Sequence, residues 1–592
     1  MLFRKHKSKT FRHCMSLTLD TPPHCLWSFD NNNNNNNNNT LIPRQVVTML
    51  IFSSTEDDTH KDQNNLTTSK RLCLVLRSHL DDDNLSSGTK EQPDFAEELQ
   101  SALASNNDDN DTTIKLTITL PKPTTTASVN QESPSSALSF PWQHTVSVIL
   151  RQIPNHRIVE LHITCHFDCQ GKHGMPISTL TYLMETCPNL QTLTLHTVGF
   201  QITSDVAQWD LLQSTFQSHA HLQAVSMMDI YFCAKAQPSR YQHYQHPVER
   251  ERPQTTSIAW LQCSHMVTAI AHCRMVRQVQ VAPTTRFFTR PIVTLASLSE
   301  LLRHSSLRKL SVANVVLYGS DNIKRAALCL QHNTRLQHLT FQNVVFAGSQ
   351  DNGSLLQGLQ GNTSLRTLIL QSSRLPLWEA EGFITALQQQ SNLTKLSNVN
   401  NHHYSTQHDK DTTKGRSNTG IQRLVLTQTG WGVNEQDHYT SVCQILAALP
   451  HHLTSLEWND LLNDVSVEPW VQRILNLLTG HVNTNRSMTH LCIDGDARNK
   501  TTTRTSPLHV WSQYEKLHFA VDLNRSGYWN LSQASSLPME WLQAMLKVHD
   551  NESCVFFLLR DNPLLIMAPS SEAVMAKYEP NHGHSPLEFP NS

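Results

Sequence analysis

One six-residue pattern recurs along this chain at a nearly constant step, and it limits the fold more than any other feature. The pattern is Leu-x-x-Leu-x-Leu, with other apolar residues allowed. Its copies begin at Ile158, Leu190, Leu222, Val276, Leu307, Leu336, Leu365, Leu393, Ile421, Leu453 and Met488. The clearest read SLRKLSVANVVL (306–317), RLQHLTFQNVVF (335–346) and SLRTLILQSSRL (364–375). Leu307, Leu336 and Leu365 are 29 residues apart, and the next two steps are 28 each. Leucines scattered at random would not hold that step.

A second regularity accompanies the first. Six residues before most anchors stands another large apolar residue: Met184, Phe216, Ile270, Leu301, Leu330, Leu359, Leu387 and Val482. Ile323, Ala326, Ala327 and Leu330 extend this into an i, i+3, i+4, i+7 stripe, the mark of an amphipathic helix. Each unit therefore reads as a strand, a turn and a helix leading to the next strand. One unit offers about six apolar side chains, each contributing roughly 1.5–3 kcal/mol on burial. Ordering its backbone costs about 1–2 kcal/mol per residue, so a single unit does not fold and a row does. Because every connection passes through a helix, the strands are expected to run parallel.

On these residues the chain resembles the leucine-rich repeat family, and the step and helical connections are similar to its intracellular, ribonuclease-inhibitor-like branch. The resemblance implies an α/β leucine-rich repeat solenoid, a horseshoe with parallel strands on the concave face and helices on the convex face. Two features depart from it. The family usually has Asn or Cys eight residues after the first Leu, whereas Val315 and Val344 stand there, with Asn314 and Asn343 one residue early. Two units also carry insertions, YQHYQHPVERERPQ (241–254) and the stretch 399–420. LNRSGYWNL (523–531) resembles a cap motif of algal-type repeat proteins, with Tyr528 where an Arg commonly follows the Gly.

The expected organisation follows. Residues 1–140 read as a largely disordered, low-complexity leader holding the poly-asparagine tract 31–39 and acidic patches at 56–58, 81–83 and 108–111. Within it, Ile114, Leu116, Ile118 and Leu120 alternate with polar residues as in a strand, Leu72, Leu74 and Leu76 do so more weakly, and Asp94 begins a short helical pattern through Phe95, Leu99 and Leu103. A small cap is one reading of these islands and a disordered leader the other. The repeats occupy 141–513, with mobile loops near 235–256 and 400–420. Residues 514–568 read as a C-terminal cap, with a strand at Leu517, Phe519 and Val521 and helices around Trp541 and Phe556. Residues 569–592 read as a disordered tail.

Few motifs carry chemistry. Cys165, Cys169 and His173 have C-x3-C-x3-H spacing, but no second ligand pair lies at finger spacing, so they read as buried or loop residues. The 33 histidines are spread along the chain. Neither G-x-x-x-x-G-K, G-x-G-x-x-G, G-x-S-x-G nor H-E-x-x-H occurs. No enzyme activity, metal or cofactor is therefore expected. With 47 basic and 49 acidic residues, net charge does not drive binding to nucleic acid or membranes. The longest dense apolar run, 46–52, is far short of the roughly 20 residues of a membrane span. The 13 cysteines and the lack of a secretory signal suit the cytoplasm or the nucleus.

In the expected architecture the residues between the motif leucines line the concave face. Those picked out as partner-binding are Lys309, Ser311, His338, Thr340, Thr367, Lys395, Arg423 and Glu457, with Lys309, Lys395 and Arg423 as its basic members. A nucleic-acid groove wants a basic stripe interleaved with aromatics, and these positions supply neither. They suit a polypeptide held by hydrogen bonds and shape. The expected function is a non-catalytic protein–protein interaction scaffold. The alternative is an adaptor recruiting a bound protein to an enzyme such as a ubiquitin ligase or small GTPase, although residues 1–140 contain no convincing F-box.

Overall fold

Each copy of the six-residue pattern except one leads into a strand, because alternate apolar residues satisfy a sheet with one face buried. The computed structural model describes residues 46–48, 53–55, 71–79, 113–120, 155–165, 174–233, 258–284, 290–347, 353–403, 420–431, 435–459, 461, 468–493, 508–531 and 538–561. The chain divides into two units, one of residues 1–131 with 165–167, the other of residues 132–164 with 168–592.

In the first unit, Arg71–His79 pairs in parallel with Thr113–Leu120, and Val46–Thr48 and Ser53–Thr55 pair with Arg71–His79 antiparallel. Leu116 and Ile118 are buried while Lys115 and Thr117 are half-buried, as the alternation from Ile114 to Leu120 predicts. The asparagine tract and the helix expected from Asp94 lie outside the described residues.

The second unit is α/β. Its principal strands are Ile158–Cys165, Thr192–His196, Ala224–Cys233, Gln278–Pro283, Lys309–Ala313, His338–Gln342, Thr367–Gln371, Arg423–Thr427, Ser455–Asn459 and His490–Ile493. They lie side by side in chain order, every neighbouring pair parallel. Helical segments alternate with them, among them Ile177–Thr186, Val206–Ser218, Ile258–Ala271, Leu295–Leu302 and Ile323–His332. Of the stripe read from the sequence, Ile323, Ala326 and Leu330 are buried and Ala327 is half-buried. Register joins equivalent positions: Leu310, Leu339, Leu368, Leu424, Leu456 and Leu491 are successive partners and all buried.

A second sheet, not foreseen from the sequence, follows the first. Ile292–Thr294, Val316–Tyr318, Val345–Phe346, Arg374–Leu375 and Gly430–Trp431 pair in parallel. Between the two sheets the chain turns on a residue with positive φ: Asn314, Asn343, Ser372 and Gln428 in successive units. Asparagine tolerates this left-handed conformation better than most residues, which explains why Asn314 and Asn343 sit one place early. The next position is buried, as Val315, Val344, Ser373 and Thr429. Where it is a hydroxyl it bonds backbone: Ser373 donates to Phe341 O at 3.3 Å and Thr429 to Leu370 O at 2.9 Å.

Three residues before several anchors stands a buried polar side chain. Asn333 donates to Leu302 O at 2.6 Å, Asn362 to Leu330 O at 2.6 Å, and Asn485 to Leu453 O at 2.8 Å. Each satisfies a carbonyl of the preceding unit that would otherwise be buried without a partner. At the Leu365 unit the helix gives way to a 3-10 segment, Leu356–Gly361, whose start is capped by the buried Glu379. Its carboxylate accepts from Leu355 N at 2.8 Å, Leu356 N at 3.1 Å and Ser354 Oγ at 2.6 Å. Burial pushes its pKa up, and these hydrogen bonds pull the other way.

Two sequence expectations are corrected. Leu393 begins no strand: one helix, Leu377–His403, runs through it, and the next strand of the principal sheet after Thr367–Gln371 is Arg423–Thr427. The third apolar position of that copy is Asn398, which a buried strand face would reject. The buried stripe Ala380, Phe383, Ile384 and Leu387 instead carries the helical period forward. Leu517, Phe519 and Val521 likewise lie in a helix, Leu508–Ser526, not a strand. It packs with Pro538–Lys547 and Glu552–Asp561 around Leu523, Trp541, Val548 and Leu558. The expected loop near 235–256 lies outside the described residues, as does the stretch 404–419 of the other; residues 400–403 are helical.

Candidate binding face of the strand ladder

Because the strands pair in register, the residues between the buried positions fall into rows that cross the sheet. The first runs Glu160, Thr192, Ala224, Gln278, Lys309, His338, Thr367, Arg423, Ser455 and His490. The second runs His162, Thr194, Ser226, Gln280, Ser311, Thr340, Ile369, Val425, Glu457 and Cys492. Seven of the eight residues expected on this surface lie in these two rows: Lys309, His338, Thr367 and Arg423 in the first, Ser311, Thr340 and Glu457 in the second. Lys395 does not join them, because it belongs to the Leu377–His403 helix. Ser397, an outward strand position in the same reading, is in that helix too.

Polar and charged contacts tie parts of the face together. Arg423 donates to Glu457 Oε1 at 2.6 Å, and His490 Nε2 lies 3.8 Å from the same oxygen. Toward the other end, His162 Nε2 is 3.6 Å from Glu160 and His196 Nε2 is 3.5 Å from Asp229. Ser226 donates to Gln280 Oε1 at 3.2 Å. His338 is held below the ordinary imidazole range, first by partial burial and then by the charges of Lys309 and Arg423. Those two cations therefore act on one ring from strands on either side of it.

Sequence reasoning missed a third row. The backbone ladder extends one residue before the strands, where Arg308 N bonds Arg277 O at 2.7 Å, Gln337 N bonds Arg308 O at 2.8 Å, and Arg366 N bonds Gln337 O at 2.9 Å. Arg277, Arg308 and Arg366 are exposed along this edge, beside exposed Lys309. The signal was the residue just after each anchor, in SLRKL and SLRTL, which a reading confined to the positions between the later leucines passes over. Among the described residues none of Arg277, Arg308, Lys309 and Arg366 has a carboxylate partner.

Among the described residues no three His, Cys, Asp or Glu side chains are grouped to hold a metal ion, and no helix is long and apolar enough to cross a membrane. Cys165 ends its strand, while Cys169 and His173 lie outside the described residues. Burial raises the thiols of Cys187 and Cys263 to about 12, so both stay protonated and unreactive near neutral pH. No protein-family model matches the chain, and no curated protein matches its sequence.

Proposed function

We propose that this chain is a non-catalytic protein–protein interaction scaffold, a leucine-rich repeat solenoid of the ribonuclease-inhibitor-like type, holding a polypeptide partner on the strand-lined concave face. The observation that carries the reading is the in-register first and second rows. Together they present a broad surface of small polar side chains, such as Ser311, Thr340 and Thr367, on a hydrogen-bonded sheet. Side chains on a sheet are held to a fixed spacing by the pairing beneath them, which favours recognition by shape and hydrogen bonds at little ordering cost. The outward strand positions here, Lys309, Ser311, His338, Thr340, Thr367 and Ile369, include no Phe, Tyr or Trp on which bases could stack.

Capture from the native cell tests this. Ser311→Trp together with Thr340→Trp places two bulky side chains on adjacent strands of the face. Partners retained by the wild-type chain and identified by mass spectrometry should be lost by this double variant, with circular dichroism unchanged. Undiminished capture by a folded double variant would remove the face from the binding role.

A further inference from the structure

Lys309 is flanked by Arg277, Arg308 and Arg366, four exposed cations on three strands, and none has a carboxylate partner among the described residues. The chain as a whole has formal net charge −2, so this strip is local and not a reflection of bulk composition. Adjacent strands are about 4.8 Å apart, which sets the backbones of Arg277 and Arg308 one such step apart and those of Arg308 and Arg366 two. Like charges this close repel, and the cost falls when an anion lies across them.

We propose that the strip selects an acidic polypeptide segment, lying across the strands with its carboxylates on Arg277, Arg308, Lys309 and Arg366. This rests on the scaffold reading above and adds the chemical class of the partner. Two observations favour a polypeptide over a nucleic acid. The residues next to the strip are Gln278, Gln337, His338 and Thr367, which offer the donors and acceptors that amide groups need. Beyond them the second row turns apolar, with half-buried Ile369 paired to buried Val425 on the neighbouring strand. A polypeptide can set carboxylates on one side and apolar side chains on the other, whereas single-stranded nucleic acid calls for aromatic stacking partners beside the cations. Arg guanidinium groups also pair with carboxylates in a two-pronged geometry. Arg423 is already engaged by Glu457, which bounds the strip on that side.

Fluorescence anisotropy on the full chain tests the proposal with three labelled probes. One is a peptide repeating Glu-Leu-Glu-Ser, the second has Gln in place of Glu, and the third is an oligouridylate of the same charge as the first. The Glu peptide should bind at least about tenfold more tightly than the Gln peptide, and added salt should narrow that gap. Changing Arg308→Gln, Lys309→Gln and Arg366→Gln together should abolish the preference without altering the melting curve. Single substitutions at each position, which perturb folding less, should each narrow it in part. The proposal is overturned if the Glu peptide shows no preference over the Gln peptide, if the folded triple variant keeps that preference, or if the oligouridylate binds as tightly as the Glu peptide. Cellular capture separates this from the scaffold reading. Loss of partners with Ser311→Trp and Thr340→Trp but not with Arg308→Gln, Lys309→Gln and Arg366→Gln would sink the acidic class alone. Retention with both sets would sink both readings.

Discussion

Asn343 donates from Nδ2 to Oδ1 of Asn314, 2.9 Å away and 29 residues earlier, and both residues hold a left-handed backbone. Asn314 in turn donates to Pro283 O at 2.9 Å, and Arg290 reaches Asn343 Oδ1 at 2.8 Å. The side chains thus form a short chain of hydrogen bonds along the turns that join the two sheets. One residue type meets two requirements at once. It tolerates positive φ, and its amide both donates and accepts, so it links the turn before to the turn after.

Those two roles separate by substitution. Asn343→Gly keeps the left-handed backbone and loses only the side-chain bonds, whereas Asn343→Ala loses the bonds and retains a Cβ where φ is 53° without the amide that lets asparagine tolerate it. The alanine variant should be less stable than wild type by about 1–2 kcal/mol, and the glycine variant should lie between them. Urea unfolding of the three chains measures the order. A glycine variant as unstable as the alanine one would mean that the conformation contributes nothing.

Asn362 is buried and makes bonds in both directions. Nδ2 donates to Leu330 O and Asn333 O at 2.6 and 3.0 Å, and Oδ1 accepts from Ser364 N and Leu365 N at 3.0 and 2.8 Å. Asn362→Ala strands backbone groups on two units and should cost about 1–3 kcal/mol. Asn362→Asp keeps the shape and the acceptor but loses the donor and buries a charge, so at neutral pH it should be no better than alanine. Hydrogen exchange should show the loss spreading into both neighbouring strands. An aspartate variant as stable as wild type would refute the donor role.

Leu339 and Thr340 are neighbours with opposite fates. Leu339 is fully buried between Leu310 and Leu368, while Thr340 stands on the other face beside Ser311. Leu339→Ala should destabilise by about 2–5 kcal/mol through the cavity it leaves, and Thr340→Ala should stay within about 0.5 kcal/mol. Melting curves of equal midpoint for the two variants would contradict this register.

How far this was legible in the sequence depended on whether one periodicity excluded another. Ten of the anchors led to strands because their leucines sit at positions that only a one-sided strand uses. The Leu393 copy failed because Leu393 and Leu396, an i, i+3 pair, also fit the helix that begins at Leu377, and Asn398 broke the strand pattern. At the C-terminal end Leu517 and Val521 are two members of an alternating triplet, but they are also an i, i+4 pair. Phe519 between them is only partly buried and Asn524, one turn on, is buried, which is the helical pattern. On the candidate face the rows containing Lys309 and Ser311 could be read because they lie between the motif leucines. Arg277, Arg308 and Arg366 were passed over because they stand directly after an anchor, one place before the positions that the strand alternation turns outward. The buried amides of Asn333, Asn362 and Asn485 were hidden for another reason: a chain rich in asparagine gives no local sign of which ones bond backbone.

His481 links this buried polar line to pH. Its ring is buried against His451, at 6.0 Å between centroids, and Asn485 Nδ2 lies 3.2 Å from its Nε2. Desolvation first, and the charge of His451 second, push its pKa down to about 4 from an ordinary value near 6.5. The neutral ring accepts from Asn485, and a protonated ring could not. The depressed pKa means the unfolded chain takes up the proton first as pH falls. Stability from this site is therefore complete above about pH 6.5, declines below it, and is gone once the folded ring also protonates near pH 4, for a total of about 3 kcal/mol at most. His219 and His452 are lowered by burial in the same direction and should add to the decline. Urea unfolding midpoints at a series of pH values between about 7.5 and about 4.5 should fall steadily. His481→Gln keeps a side chain able to accept from Asn485 but removes the titrating ring, so its midpoint should fall less steeply over the same range. Parallel slopes for the two chains would show that His481 is not held neutral in the folded protein.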